Sequence, residues 1–363
     1  MVDVENILRT AIEKDASDIH LISGIKPMLR IARNLTPYEG CQNLTPEDMA
    51  DIYDFFIRGN VEKDEVFRET KKLDSSFDFL GLRFRVNVSL SNEVPVFTLR
   101  IIKNTLPTFD ELGVPDIVRR MMYQPQGLVL VTGKTNSGKT TTLNALINEI
   151  NETQNKKILT LESPVEFKHK CKKSIIVQKE VGYGQDVLTY KDGVKNCLRE
   201  DCDILVIGEI RDRETMDAAI ETAESGHLVI GTLHTKSCAE TIDRMINFYD
   251  ISDQQSIKYM IASLLKLVTS QRLIRDKEGK LVLVPEVMVV DGIIRKEKLS
   301  VSEIEDAIQS NLEKGSIGLI NSLAELFVND KITLEQAKAQ IEEKNLEILN
   351  RTIMQLKIKK DRR

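Results

Sequence analysis

The residues with the most recognisable chemistry lie in the segment GKTNSGKTT, which begins at Gly133. The segment has the spacing G-x-x-x-x-G-K-[ST], in which successive backbone N–H groups at the start of a helix surround the phosphates of a nucleotide. In such a loop the lysine reaches the β- and γ-phosphates and the hydroxyl that follows it binds Mg²⁺, so Lys139 and Thr140 are the predicted ligands. The sequence therefore predicts a P-loop, and an ordinary glycine-rich turn is the alternative. The predicted nucleotide-binding residues are Gly133, Lys134, Thr135, Asn136, Ser137, Gly138, Lys139, Thr140 and Thr141.

Two further segments supply the carboxylates that a nucleotide-hydrolysing site needs. In DILVIGE, Glu209 follows an apolar strand, at the end where doubly wound sheets bind their ligands. We predict that Glu209 is the Walker B acid and binds Mg²⁺ together with Thr140. In LESPVEF, Glu162 and Glu166 flank a proline, and either carboxylate could lie in the same crevice. Hydrolysis is simplest when one acid binds the metal and another deprotonates water.

Histidines and arginines form a second set of candidates. His227 and His234 flank the predicted strand 228–232, and His234, at its carboxyl end, could contact the γ-phosphate or a neighbouring subunit. A structural histidine at a strand end is the alternative for both. In LRFRVNV, Arg83 and Arg85 alternate with apolar residues, which places two guanidinium groups on an exposed sheet face. That face is either simply solvated or contacts a phosphate or another subunit.

Length and composition restrict the class of protein. A chain of 363 residues exceeds one compact core of usual size, and 41% hydrophobic residues are enough to bury more than one. The 51 basic and 56 acidic residues give a net charge of -5, so no stable nucleic-acid binding is expected. The chain has no apolar targeting segment near its start and no uninterrupted apolar run long enough to span a membrane, which predicts a cytoplasmic or membrane-peripheral protein. Five scattered cysteines without a C-x-x-C pair indicate neither disulfides nor a zinc site.

The elements that must position these residues begin with a small α+β domain, predicted at residues 1–103. Its apolar periodicity predicts helices at 4–12, 46–57 and 61–70, and strands at 17–22, 28–31, 73–79, 82–90 and 94–102. Residues 104–115 contain proline and glycine and have little periodicity, which predicts a linker and a hinge.

Residues 116–290 alternate strands with helices, the pattern of an α/β fold around a largely parallel sheet. The pattern predicts strands at 128–131, 157–161, 175–178, 204–207 and 228–232, helices at 116–123, 140–151, 190–200, 214–225, 239–248 and 253–268, and a hairpin of 272–274 with 281–284. Residues 291–363 predict a helical subdomain, with helices at 301–312, 319–328 and 333–360 and a capping box at Thr333 and Gln336. The basic tail KIKKDRR is either a solvated end or a contact to anionic lipid or a partner.

Several longer motifs occur in a recognisable order along the chain. They are ASDIHL, FRVN, GLVLVTGKTNSGKTTTL, LTLESPVEF, QKEVG, DILVIGEIRDRET, GHLVIGTLHT and EVMVVDGIIR. On these motifs the chain resembles the secretion-superfamily motor ATPases, and within them the PilT-like type IV pilus retraction ATPases. The resemblance implies a PAS-like N-terminal domain, a RecA-like P-loop motor domain and a homohexameric ring. It also implies ATP hydrolysis coupled to pilin removal at an inner-membrane platform protein, on the cytoplasmic face of the membrane.

The resemblance also implies a role for each candidate residue. Lys139 and Thr140 match the Walker A motif, Glu166 the water-activating base, Glu209 the Walker B glutamate, and His227 and His234 the His box. Arg83, Arg85 and Arg100 fall where the family's N-terminal domain presents arginines to ATP bound in the ring.

Three departures from the family pattern leave alternatives open. Asn136 replaces the usual glycine, which is tolerable because asparagine can adopt positive φ. Ser163 replaces an aspartate near the metal, so a weakly hydrolysing regulatory subunit is one alternative. Pilus extension or type II secretion is the other, because the retraction branch's C-terminal motif is matched only in part by GIIR at 292–295. The four-cysteine zinc module usual in the extension and secretion relatives is absent from the sequence.

Overall fold

The chain folds into two compact units. The computed structural model describes residues 2–32, 34–102, 106–183, 185–290, 301–310 and 312–361. Unit 1 comprises Met1–Leu106, Leu161–Lys170 and Gln178–Gly193, and unit 2 comprises Pro107–Thr160, Cys171–Val177 and Val194–Arg363. Unit 1 therefore includes two segments from the middle of the chain. The domain bounds expected from the sequence, 1–103, 104–115, 116–290 and 291–363, stay a prediction, and part of the expected linker lies outside the described residues.

Unit 1 is an antiparallel sheet of six strands with helices on one face. The elements are α1 (Val4–Glu13), β1 (Asp18–Leu21), β2 (Met28–Ile31), β3 (Asn34–Pro37), α2 (Pro46–Tyr53), a π-helical turn (Asp54–Arg58), α3 (Val61–Thr70), β4 (Lys72–Phe79), β5 (Leu82–Ser91) and β6 (Val94–Ile102). The strand order in the sheet is β3-β2-β1-β6-β5-β4. The predicted elements are present, and β3 is the one that the sequence did not predict. All four β3 residues are exposed, so this edge strand has no apolar alternation to reveal it.

The two faces of this sheet differ in chemistry because side chains alternate along each strand. Phe84, Val86 and Val88 on β5 are fully buried and share one core with Leu8 of α1 and Phe97 of β6. The intervening residues of β5 lie on the opposite, polar face. On that face the strand register places a row of polar side chains across the sheet: Arg30, Asp18, Arg100, Arg85 and Ser76.

A second sheet has seven strands. Its strands and the accompanying helices are α4 (Asp116–Met121), β7 (Gly127–Gly133), α5 (Lys139–Thr153), β8 (Lys157–Glu162), β9 (Ile175–Glu180), α6 (Tyr190–Cys197), β10 (Ile204–Ile207), α7 (Arg213–Glu224), β11 (Leu228–Leu233), α8 (Cys238–Ile246), α9 (Gln254–Leu264), β12 (Leu265–Arg275) and β13 (Leu281–Val289). The strand order is β13-β12-β7-β11-β10-β8-β9. Strands β7, β10, β11 and β12 pair in parallel, and β13 joins β12 antiparallel. The predicted fold class is confirmed as mixed α/β.

The central strand β7 explains why this sheet forms. All seven of its residues are buried, and it pairs with β11 on one side and with β12 on the other. A short, continuous apolar run is typical of a parallel strand covered on both faces. The strand ends at Gly133, so its carboxyl end carries the loop that contains the candidate phosphate ligands.

The predicted helix 253–268 is wrong in its second half. Helix α9 ends at Leu264, and Leu265 begins the long strand β12. The apolar residues around this point fit a helical and a strand period alike. Pairing with β7 and β13 on both sides decides in favour of the strand. For the same reason both strands of the hairpin are longer than the sequence predicted.

The C-terminal part is helical, but the predicted helix 333–360 is interrupted. The elements are α10 (Val301–Ser310), a 3-10 turn (Leu312–Lys314), α11 (Leu319–Val328), α12 (Leu334–Lys338), a 3-10 turn (Glu343–Asn345) and α13 (Leu346–Asp361). The capping box at Thr333 and Gln336 forms, and such caps contribute about 1 kcal/mol. The interruption lets Ala337, Leu349 and Ile353 share one apolar core. The motif at 292–295 and the last two tail residues lie outside the described residues. Among the described helices, none combines the length and hydrophobicity needed to cross a membrane.

Candidate active site

The predicted P-loop joins β7 to α5 in unit 2 and has a constrained backbone. Gly138 precedes the first residue of α5 and has φ of 87°. Asn136 has φ of 64°, which confirms that asparagine adopts the left-handed conformation here. Gly133 has φ of 149°, and a Cβ atom there would lie 2.3 Å from Ser137 Oγ and 2.6 Å from the carbonyl oxygen of Gln271. Only glycine fits at this end of the strand.

The Lys139 side chain is buried and bends back over its own loop. Its Nζ donates to the carbonyl oxygen of Gly133 at 2.8 Å and to that of Lys134 at 3.0 Å. The same Nζ lies 3.4 Å from Nδ1 of His234. Burial lowers the pKa of the Lys139 ammonium, and the nearby Glu209 carboxylate opposes this shift. The loop's own carbonyl oxygens therefore hold the Lys139 ammonium next to the loop backbone.

Glu209 completes a cluster of charged side chains at the carboxyl ends of the parallel strands. Its Oε1 lies 3.4 Å from Nε2 of His234, and its Oε2 accepts from Arg211 at 2.6 Å. Burial alone would raise the pKa of Glu209, but Arg211, His234 and Lys139 together lower it. We call Lys139, Glu209, Arg211 and His234 the loop cluster. The sequence did not single out Arg211, although its place two residues after a predicted metal ligand was an available signal.

The other residues of the predicted P-loop present polar groups around this cluster. The Ser137 hydroxyl is buried and has no hydrogen-bond partner in the part of the chain that the structure describes. A buried hydroxyl beside a lysine ammonium at a helix start suits an anionic ligand. Lys134, Thr135, Asn136 and Thr140 are exposed, Gly138 and Thr141 are half-buried, and Gly133, Ser137 and Lys139 are buried.

His227 does not join the loop cluster within this chain. It directly precedes β11, whereas His234 directly follows it, so a strand of about 20 Å separates them. Its Nδ1 lies 2.9 Å from the Ser225 hydroxyl and 3.2 Å from the Thr222 carbonyl oxygen. These contacts fit the structural role that the sequence left as the alternative for His227.

In unit 1 the prediction that Arg83 is exposed is wrong. Arg83 is only 8% exposed, and its guanidinium pairs with the buried Glu180 and with Asp78, the latter at 3.1 Å. Its Nε also donates to the carbonyl oxygen of Val165 at 2.5 Å. Strand alternation placed Arg83 on the polar face correctly. It could not reveal that Glu180, nearly a hundred residues later, covers that part of the face.

Arg85 and Arg100 lie directly opposite each other on β5 and β6. Arg100 Nε donates to Asp18 at 2.9 Å, and Arg85 Nε lies 3.9 Å from Asp74. Like charges directly opposite are unfavourable in a sheet, so this arginine pair suits the recognition of an anion. Burial raises the pKa of the Glu166 carboxyl, and both arginines oppose this shift. Within unit 1, Arg85 and Arg100 are therefore close enough to Glu166 to interact electrostatically with its carboxyl group.

Glu162 is held differently from Glu166. It is buried, and its Oε1 accepts from Gln178 Nε2 at 3.2 Å. The Ser163–Pro164 peptide that follows is cis. Within the described ranges, no three His, Cys, Asp or Glu side chains are grouped as a metal site. The expectation that the protein binds no zinc stays a prediction.

The sequence and the fold of this chain correspond to a known family. The family model described as "Type II/IV secretion system protein" matches residues 81–355. The match covers more than half of the chain, so the chain belongs to this family. The resemblance to PilT-like pilus retraction ATPases is also confirmed by individual relatives.

Three relatives illustrate this. The type IV pilus retractation ATPase PilT of Pseudomonas aeruginosa is 37% identical over 354 residues, which cover 94% of this chain and 99% of the relative. A twitching motility protein of Neisseria gonorrhoeae is 33% identical, with 92% of this chain and 89% of the relative covered. The crystal structure of the pilus retraction motor PilT with bound ADP superposes with a TM-score of 0.86 at 35% identity, covering 96% of this chain and 99% of that chain.

Proposed function

We propose that this protein is an ATP-hydrolysing motor that powers the retraction of type IV pili. The observation that carries the proposal is the loop cluster, in which Lys139, His234 and Glu209 meet beside a glycine-bounded loop at a helix start. The direction of the motor is inferred from relatives that match this chain over nearly its full length.

The residues from Gly133 to Thr141 act as a P-loop of a RecA-like domain. Backbone N–H groups at the start of α5 bind the phosphates of ATP, and the Lys139 ammonium compensates the charge of the β- and γ-phosphates. The buried Ser137 hydroxyl, unpaired in the described chain, supports this assignment because a phosphate oxygen would give it a partner.

Thr140 and Glu209 would hold Mg²⁺, which supplies charge neutralisation at the phosphates. A carboxylate with a lowered pKa and an exposed hydroxyl are the donor types that Mg²⁺ prefers, so the residues fit the ion. His234 lies between the Glu209 carboxylate and the Lys139 ammonium, and it contacts the γ-phosphate of bound ATP.

Glu166 activates the attacking water. Burial raises the pKa of its carboxyl, which makes the carboxylate a stronger base than an exposed glutamate. Arg85 and Arg100 stabilise the negative charge that develops on the phosphoryl group. Arg83 is not assigned this role, because its guanidinium is already committed to Glu180 and Asp78.

At the level of the whole chain, we infer a PAS-like domain at residues 1–103, a hinge at 104–115, a RecA-like domain at 116–290 and a helical subdomain at 291–363. The subunits assemble as a homohexamer. The ring works at the cytoplasmic face of the inner membrane, where it acts on a pilus platform protein. The PilT relatives support this assembly because they are similar along the whole chain.

The test is deletion of the gene in its own cells, followed by imaging of labelled pili. Cells without a retraction motor should carry surplus pili that no longer shorten. The parent chain should restore shortening, whereas Lys139→Ala protein that accumulates to the same level should not. Pili that shorten normally without the protein would refute the proposal.

The same experiment separates the alternative functions. An extension ATPase would leave the deletion strain without pili, and a type II secretion ATPase would leave pili normal and block protein export. A weakly hydrolysing regulatory subunit, suggested by Ser163 and Asn136, would have almost no steady-state ATPase activity as a purified ring.

A further inference from the structure

The backbone N–H and C=O groups of Val165 are both hydrogen-bonded to one buried ion pair. The Val165 N–H donates to Glu180 Oε1 at 3.2 Å, and its carbonyl oxygen accepts from Arg83 Nε at 2.5 Å. The two side chains also pair with each other, and Arg83 and Glu180 are 8% and 7% exposed. The Ser76 hydroxyl donates to the same carboxylate at 2.8 Å. Glu180 and Arg83 therefore hold the backbone N–H and the backbone C=O of the same residue, Val165.

These hydrogen bonds to Val165 also restrict the backbone of the next residue, Glu166. A peptide unit is planar from one Cα to the next, so fixing the Val165 carbonyl also fixes the nitrogen and Cα of Glu166. On the other side of Glu166, the carbonyl oxygen of Phe167 accepts from Gln178 Nε2 at 2.8 Å. Gln178 and Glu180 are two residues apart on β9, so their side chains leave the strand on the same side. Strand β9 thus holds the backbone before and after Glu166.

We propose that Arg83 and Glu180 are positioning residues for ATP hydrolysis, because they clamp the Val165 backbone and thereby fix the Glu166 carboxylate. This inference rests on the proposed role of Glu166 as the base. It replaces the expectation that Arg83 contacts ATP. In this role the clamp acts on the reaction through the Val165 backbone that it holds.

A buried ion pair is an unusual way to hold a backbone, and its cost argues for a role beyond stability. Desolvating two charges is expensive, and an apolar pair of similar volume is often as stable or more stable. A carboxylate and a guanidinium, however, bind a backbone N–H and a backbone C=O more strongly than neutral groups do. A misplacement of about 1 Å can cost on the order of 10²-fold in rate, which is the loss that such a clamp would prevent.

The experiment compares purified full-length variants by kcat, KM and calorimetric ATP binding. Arg83→Met/Glu180→Leu removes the clamp without leaving one buried charge alone, and Glu180→Gln keeps an acceptor for the Val165 N–H. The control is Asp78→Asn: Asp78 pairs with Arg83 and with Lys168, but its hydrogen bonds in the described chain do not include the Val165 backbone. Glu166→Gln is measured in parallel as the reference for loss of the base.

We expect kcat of the double variant to fall at least tenfold, with KM, ATP affinity and the number of ATP sites unchanged within twofold. Glu180→Gln should retain more of kcat than the double variant, and Asp78→Asn should stay within twofold of the parent. The acid limb of the kcat–pH profile should also move to lower pH in the double variant, since a loosened Glu166 reaches solvent. A purely structural ion pair would not move this limb.

Two different failures can be told apart. If Glu166→Gln is inactive but the double variant keeps kcat within twofold of the parent, the clamp is refuted and the proposed base stands. If Glu166→Gln turns over like the parent, the base assignment fails and the clamp fails with it. Should the double variant not bind ATP at full stoichiometry, Glu180→Leu decides, because it removes the acceptor of the Val165 N–H while Asp78 still pairs with Arg83. A kcat of Glu180→Leu within twofold of the parent refutes the clamp.

Discussion

At the scale of single residues, the two proposed catalytic carboxylates differ in the environment that sets their pKa. Burial raises the pKa of both carboxyl groups, but Arg211, His234 and Lys139 bring the pKa of Glu209 below its ordinary value, whereas that of Glu166 stays raised. When their environments push the pKa values of two carboxyl groups apart, the two groups can take different roles in the reaction. Glu209 suits the binding of a metal ion, and Glu166 suits the acceptance of a proton.

This contrast predicts different effects of the two glutamine variants. Glu166→Gln should leave ATP affinity within twofold of the parent and lower kcat at least a hundredfold, because only proton transfer is lost. Glu209→Gln should lower kcat and also raise the Mg²⁺ concentration needed for half-maximal activity. Steady-state kinetics with a Mg²⁺ titration, together with ATP calorimetry, measure both effects. A near-parental kcat for Glu166→Gln would make Glu162 the next candidate base.

The raised pKa of Glu166 also predicts a pH dependence. Only the carboxylate can accept a proton, so kcat should fall toward acid pH with an apparent pKa above the ordinary value of 4.5. Arg85 lowers the pKa of Glu166, so Arg85→Ala should raise it and move the acid limb to higher pH. The kcat–pH profiles of both proteins measure the shift. Arg68→Ala, which removes an exposed arginine of α3 paired with Asp64, is the control and should leave the limb in place.

At this scale, local spacing in the sequence was enough to select residues that the structure brings together. Lys139 and Glu209 follow from short motifs, and both lie in the loop cluster. The sequence could not predict contacts between residues far apart along the chain. No residue near Arg83 indicates that its partner is Glu180. The role of His227 stays a prediction, because a motif with histidines at both ends of a strand does not say which end carries the site.

At the scale of elements, most helices and strands could be predicted because apolar periodicity and caps are local signals. The helix at 253–268 could not, because pairing on both sides of β12 outweighed its own periodicity. The exposed edge strand β3 carried no signal to find. The interruption after α12 lies in a charged stretch whose helical propensity is high, and only packing of the apolar residues that follow explains it.

The end of β7 gives a prediction at this scale. Gly133→Ala should weaken ATP binding at least tenfold, because the added Cβ meets the Ser137 side chain and the Gln271 backbone and must displace the loop. ATP calorimetry measures the loss, and thermal unfolding reports any change in stability. Gly279→Ala is the matched control: Gly279 also has positive φ, 82°, but nothing lies within 4 Å of a Cβ there. Unchanged affinity for Gly133→Ala would mean that this strand end does not shape the nucleotide site.

At the scale of the whole molecule, the division into units is the feature that the sequence did not predict. The segment Leu161–Lys170, which carries Glu166, belongs to unit 1, although it continues β8 directly. Arg85, Arg100 and Glu166 therefore belong to one unit, and Lys139, Glu209 and His234 to the other. Contacts such as those of Arg83 with Val165 and Glu180 create this division, and they join residues about 80 to 100 positions apart. No local pattern reports them.

The proposed ring predicts that the arginines of unit 1 act between subunits. An arginine supplied from outside the P-loop domain contributes on the order of 10³ to 10⁵ in rate in some GTPases. Arg100→Ala should lower the ATPase rate at least tenfold and change ATP affinity much less, because the contact is made mainly in the reacting state. Arg68→Ala is the control, since its side chain is as exposed, 66% against 63%, and also pairs with an aspartate.

Mixing Arg100→Ala protein with Lys139→Ala protein tests whether neighbouring subunits of the ring share the site. When Arg100→Ala subunits assemble with Lys139→Ala subunits, some interfaces combine an intact lysine with an intact arginine from the neighbour. We therefore expect the mixture to hydrolyse ATP faster than either variant alone, in proportion to the fraction of such interfaces. The measurement is ATPase rate against mixing ratio at constant total protein. A rate that never exceeds the sum of the two separate variants would mean that each subunit supplies its own arginine, and the site would not be shared.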